Sequence, residues 1–122
     1  MPRFELTGVV LDAPDAQELG HFYHRLTGWQ AIMDEPGWYK IAPTGTRNGI
    51  SFQTEPLYTP PVWPSTTGHQ QMQLHLDLRV DDLAAACAHA ESLGAELAEF
   101  QPQEDVRVYL DPVGHPFCLF EN

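Results

Sequence analysis

The stretch VVLDAPDAQELGHFYHRLTGWQA (residues 9–31) can be laid over LDLRVDDLAAACAHAESLGAELA (residues 76–98). Each copy reads as a strand, an acidic helix start, an amphipathic helix and a glycine stop. A chain that repeats one supersecondary unit must bury the same kind of apolar face twice, and this narrows the architectures open to it. In the first copy, Asp15 followed by Glu18 has the spacing of a capping box, Leu19, Phe22, Tyr23 and Leu26 recur at helical intervals, and Gly28 supplies the stop. In the second copy, Asp82 is the cap, Leu83, Ala86, Cys87 and Ala90 form the stripe, and Gly94 closes it. The stripe position of Cys87 marks it as a structural thiol.

Strand-like segments follow each helix: GWYKIAP and NGISFQ in the first copy, VRVYLDP and PFCLFE in the second, with Pro43 and Pro112 at matching turns. A further strand is expected near Trp29 to Met33 and near Ala95 to Phe100. Each copy is then a βαβββ unit and the fold class is α+β. With 122 residues the chain suits one domain, residues 1–122, with module one at 4–54 and module two at 72–122. The connection, 55–71, is rich in proline and polar residues, and its aromatics Tyr58 and Trp63 are expected to pack on the body or cover a cleft.

Seventeen acidic residues against six Lys plus Arg give a formal charge of −11, which repels a phosphate backbone and argues against nucleic acid as a partner. Such a surface draws cationic or neutral small molecules more readily than anions. Two cysteines, Cys87 and Cys118, are too few for a disulfide framework and fit a reducing compartment. No basic, apolar leader and no run of membrane-spanning length is visible, so a cytoplasmic protein without a membrane partner is expected. Nucleophile-elbow, P-loop, dinucleotide and HExxH motifs do not occur.

The segment MQLHLDLRV, residues 72–80, alternates apolar and polar residues, as a half-buried strand does. Met72, Leu74, Leu76, Leu78 and Val80 share one face, while Gln73, His75, Asp77 and Arg79 share the other. Alternation alone leaves two readings for that polar face: it is solvated, or it lines a cleft. An acid–base role for His75 oriented by Asp77 is chemically open, because imidazole titrates near neutral pH. The same imidazole could equally be satisfied by its neighbours.

The doubled pattern, the two strand-to-helix segments, the ending LDPVGHPFCLFEN, and PPVWP followed by QQMQLHLDLRVDDL resemble the vicinal oxygen chelate superfamily. That superfamily includes glyoxalase I, extradiol dioxygenases, fosfomycin resistance proteins and bleomycin-binding proteins, and the likeness is to its glyoxalase-like bacterial branch. The resemblance implies two modules side by side as an incomplete barrel, with helices on the convex side and a ligand cleft on the concave side. It then places His75 in the cleft, with Asp77 and Arg79 as neighbours.

The family's metal site draws one ligand from the first and one from the last strand of each module. His75 matches the first-strand position of module two, and Cys118 stands where the family commonly has glutamate. The module-one counterparts are Gly8, counted from the helix cap, and Ile50 or Ser51, between which the turn TGTRNG leaves the register open. His69 and His115 occupy no family ligand position, and His21, His24 and His89 fall on helices. The ligand count falls short of a catalytic zinc, so no cofactor is expected and the cleft is read as metal-free. A glycine inside a strand often marks a close approach to the backbone, which would leave room at position 8.

The expected cleft residues are His75, Cys118, Trp38, Phe52, Trp63, Asp77, Arg107 and Tyr109. Arg107 and Tyr109 would face the cleft if Val106, Val108 and Leu110 face the helix. The leading function is binding of a small organic molecule, as in the bleomycin-binding relatives. The alternative is a metal-dependent or acid–base lyase, isomerase or dioxygenase-like enzyme, and a silent regulatory domain is a third reading. Exposed sheet edges, and pairing among many relatives, point to a homodimer.

Overall fold

The computed structural model describes residues 1–122 as two compact units, Met1–Tyr58 and Thr59–Asn122. Each unit is a four-stranded open sheet with one helix, and each follows the order strand, helix, strand, strand, strand.

Unit one contains β1 (Gly8–Ala13), α1 (Ala16–Thr27), β2 (Gln30–Glu35), β3 (Trp38–Ala42) and β4 (Gly49–Thr54), with sheet order β1-β4-β3-β2. The Asp15 carboxylate accepts from the backbone N–H groups of Gln17 and Glu18 and so starts α1. Gly28 ends the helix with φ 73°, its N–H donating to the His24 carbonyl. The apolar stripe of α1 covers one face of the sheet, where Tyr23 stacks on Phe52 at 5.5 Å and Leu19, Phe22, Tyr39 and Ile41 are buried. A parallel pairing of β1 with β4 brings the first and last strands together, in register Gly8 to Gly49 and Val10 to Ser51.

Unit two contains β5 (Leu76–Arg79), α2 (Leu83–Ser92), β6 (Glu96–Leu97), β7 (Val106–Leu110) and β8 (Pro116–Phe120), in sheet order β5-β8-β7-β6. The Asp82 side chain caps α2 through Ala85 N–H, and the Glu121 carboxylate adds a bond to Leu83 N–H at 2.8 Å. Phe117, Leu119 and Tyr109 form the core of this unit. The turn before β8 is built on Asp111, buried at 4% exposure, whose Oδ1 accepts from Val113 and His115 N–H, and Gly114 supplies φ 101°. That turn fixes the register of β8, and with it the position of Cys118.

Two expectations require correction. The strand expected over 72–80 begins only at Leu76, because β5 pairs residue for residue with Phe117–Phe120. Upstream of Phe117 the partner is Pro116, which has no N–H to give, and then a turn. His75 therefore sits just before the strand, and Leu74 is 47% exposed instead of covered. The second strand of unit two shrinks to Glu96–Leu97, because Gln101 takes over the Val108 backbone, its Oε1 accepting from Val108 N–H and its Nε2 donating to Val108 O. Helix α2 ends at Ser92 with Leu93 as its cap, and Gly94 follows at φ 106° as the expected glycine stop.

Candidate functional site

Direct partners in a sheet point to the same side, so register assigns every strand residue to a face. In unit two, Asp77, Cys118 and Val108 form one row on the face turned away from α2, and Leu76, Phe117 and Tyr109 form the neighbouring row beneath the helix. His75, two residues before Asp77, joins the helix-free side: its Nε2 lies 3.1 Å from Asp77 Oδ1, with the two side chains 40% and 61% exposed. One donor atom each from His75, Asp77 and Cys118 lies within 4.8 Å of the others. Burial, followed by the nearby Asp77 carboxylate and its hydrogen bond, pushes the Cys118 thiol up to about 11. At neutral pH it is a protonated thiol and a poor nucleophile.

Phe52, Arg107 and Tyr109 do not belong to this face. Phe52 is fully buried under α1, and Tyr109, 1% exposed, donates its hydroxyl to Glu91 Oε2 of α2 at 2.6 Å. Burial and then the bonds to Cys87 and Glu91 raise the Tyr109 phenol far above its ordinary range, so it stays protonated. Arg107 alternates with Tyr109 and is spent on the carbonyls of Gln103 and Glu104. The apolar residues Val106, Val108 and Leu110 take the helix-free side, the reverse of the condition set by alternation.

Trp63 is half-buried, its ring centroid 6.0 Å from that of Phe100, so this aromatic of the connection does pack on a partner within unit two. In unit one, Trp38 is half-buried on the face away from α1. Two buried polar residues share that face and were not expected from the sequence: Lys40 at 8% exposure and Ser51 at 4%, paired with one another. The available signal was composition, since position 40 holds the only lysine of the chain and sits among apolar strand residues.

The structure also resolves which residue of unit one corresponds to Cys118. Five residues before each helix cap stand Val10 and Asp77, and their parallel partners are Ser51 and Cys118, so Ser51 and not Ile50 is the counterpart. The close approach expected at Gly8 comes from the chain's own backbone: a Cβ there would lie 2.4 Å from the Gly49 carbonyl oxygen. A Cβ on Gly49 would in turn lie 1.9 Å from the Ile41 carbonyl oxygen. The glycine pair is thus required by strand packing. Of the positions that the superfamily uses for a metal, unit one holds Gly8 and Ser51, neither of them a usual ligand, and unit two holds His75 and Cys118.

A glyoxalase-like domain family matches residues 8–120. The chain belongs to that family. As a glyoxalase-like protein it shares its fold with a glyoxalase/bleomycin resistance/dioxygenase family enzyme from Burkholderia phytofirmans, at TM-score 0.72 and 20% identity over 97% of this chain and 98% of that one. An antibiotic-binding protein from a Streptomyces species aligns at TM-score 0.62 and 22% identity, covering 99% of this chain and 98% of the other. A bleomycin-binding protein in complex with bleomycin aligns at TM-score 0.59 and 20% identity, covering 98% and 99%. No curated protein matches the chain by sequence. No helix is long and apolar enough to cross a membrane.

Proposed function

We propose that this glyoxalase-like protein binds a small organic molecule on the helix-free face of its second unit, around His75, Asp77 and Cys118, without a catalytic metal. The observation that carries the reading is the accessible imidazole and carboxylate beside a half-buried thiol, on a sheet face that no helix covers. Val106 and Leu110, half-buried on the same face, supply apolar surface beside the polar groups that set orientation. The antibiotic-binding and bleomycin-binding neighbours support it, as proteins of this fold that bind organic molecules. Trp63, within the same unit, is the proposed aromatic contact, and two unpaired cysteines suit a cytoplasmic setting.

A compound library screened by thermal shift and by mass spectrometry of copurified molecules identifies the ligand. His75→Phe is then expected to weaken its binding on the order of tenfold, the worth of one good polar contact, while leaving the melting temperature nearly unchanged. The half-exposed ring has space in front of it, which a packed core position lacks. Unfolding of His75→Phe, or unaltered affinity, overturns the site.

A second reading is favoured by one observation, the convergence of His75, Asp77 and Cys118. Nitrogen, oxygen and sulfur donors at these separations could take a zinc-type cation with an open position, and a bound cation there would supply Lewis acidity for a lyase or isomerase. The metal-free reading expects purified protein to carry well under one equivalent of divalent metal, and EDTA to leave its melting unchanged. Stoichiometric metal that disappears in His75→Ala would replace the first reading by the second.

We also infer a homodimer, because β2 and β6 end each sheet with one unpaired edge, and Leu97 on β6 is 47% exposed. Light scattering is expected to return twice the chain mass, and a monomer at all working concentrations contradicts the assignment.

A further inference from the structure

The single lysine of this acidic chain is placed where its charge is unanswered. Lys40 is 8% exposed on the helix-free face of unit one, and its ammonium donates to the Thr7 carbonyl at 3.0 Å. No carboxylate comes within the 4.0 Å of an ion pair, although the chain has seventeen acidic residues. An ammonium carries three donors, so two remain unspent. Burying a charge against one neutral acceptor is unfavourable unless a counter-charge arrives. Pinning the start of β1 explains the Thr7 bond, and a neutral donor would have served that purpose.

The surroundings describe what could arrive. Register puts Val10 and Met33 on the same face as Lys40, on either side of it, with Trp38 two residues along the strand. Val10 is 46% exposed, and Met33 and Trp38 are half-buried, so an apolar body can lie against them. Gly8 and Gly49 offer no side chain to block the lysine stem on its way to Thr7. Its ammonium ends beside the residue preceding Gly8, the counterpart of His75, so unit one presents a cation where unit two presents an imidazole.

We propose that Lys40 recognises the carboxylate of a small ligand whose apolar body rests on Val10, Met33 and Trp38. The inference rests on the reading of the protein as a small-molecule binder and adds a separate site on unit one, with its ligand class. The overall charge of −11 is no obstacle, since it repels polyanions far more than a monocarboxylate neutralised at contact.

Because position 40 is the only lysine, growth on [13C]lysine gives the intact protein a single labelled side chain. Titration with acetate, benzoate and 2-naphthoate is expected to move its resonance saturably, increasingly well along that series, while the matching amides leave it in place. Lys40→Met, with its circular dichroism intact, is expected to bind 2-naphthoate at least tenfold more weakly, and Lys40→Arg to recover part of the loss. If Lys40→Met does not fold, the titration of the unaltered protein decides alone. A resonance unmoved by millimolar carboxylates, or moved equally by amides, overturns the proposal. Should neutral compounds bind while carboxylates leave Lys40 untouched, the carboxylate assignment falls and small-molecule binding stands; if no compound binds, both fall.

Discussion

Gly8→His is expected to destabilise the protein by about 3 kcal/mol or more and to recruit no metal. The substitution installs a metal ligand at the unit-one position that matches His75, so a sequence-level argument would expect a repaired site. The backbone forbids it. A Cβ at position 8 meets the Gly49 carbonyl oxygen at 2.4 Å, and Gly8 holds φ 154°, a conformation that L residues rarely adopt. The obstruction is main chain, which cannot swing aside as a flexible side chain would. Gly8→Ala, which adds only the offending atom, should show the same loss in milder form. Denaturant melts with metal analysis of the purified variants test this, and a Gly8→His protein of undiminished stability carrying one equivalent of metal would show the glycine account to be wrong.

Phe52→Ala should lower stability by about 3 to 5 kcal/mol, the range for truncating a buried aromatic ring. For a domain of this size that is a fall in melting temperature on the order of 10 °C or more. Phe52 has no exposed surface, stacks on Tyr23 at 5.5 Å and lies 6.3 Å from Tyr39, so its removal leaves a void under α1. A cleft residue would behave in the opposite way, with binding lost and stability retained. Ligand affinity of the folded fraction should therefore be unchanged in Phe52→Ala, and a variant that melts normally but binds poorly would return Phe52 to the binding face.

These two residues show which kind of information the sequence held. Helix starts at Asp15 and Asp82 were legible because capping is local: a carboxylate meets N–H groups two or three residues away, whatever the rest of the chain does. The repeat, and from it the βαβββ order, was legible for the same reason. Sidedness was not. Along VRVYL both alternate sets can be buried, since a tyrosine can carry its ring into a core if its hydroxyl finds a partner, and that partner is Glu91 on a helix whose crossing the strand does not encode.

The length of β5 was also hidden. MQLHLDLRV alternates throughout, yet a strand extends only as far as its neighbour offers backbone donors and acceptors, and β8 begins at a proline that follows a turn. At the site, proximity of His75 and Asp77 follows from their spacing, whereas the approach of Cys118 depends on the register that the Asp111 turn imposes far downstream, beyond the reach of local patterning. Lys40 was missed because a lysine in a strand ordinarily reads as the solvent side, and only its burial distinguishes it.

The parallel pairing of first and last strands has a consequence for the order in which the chain can acquire structure. β4 lies between β1 and β3, and β8 between β5 and β7, so the strand made last in each unit is an interior one. While the polypeptide is being synthesised, β1 has no ladder partner until residues 49–54 emerge, and β5 waits in the same way for residues 116–120. The last strand of each unit can zip onto its predecessor as a hairpin, but its parallel pairing with the first strand is a step of high contact order. Until that strand arrives, the apolar undersides of α1 and α2 lack the middle of the sheets they cover, and the nascent chain carries exposed apolar surface for as long as synthesis of the unit lasts.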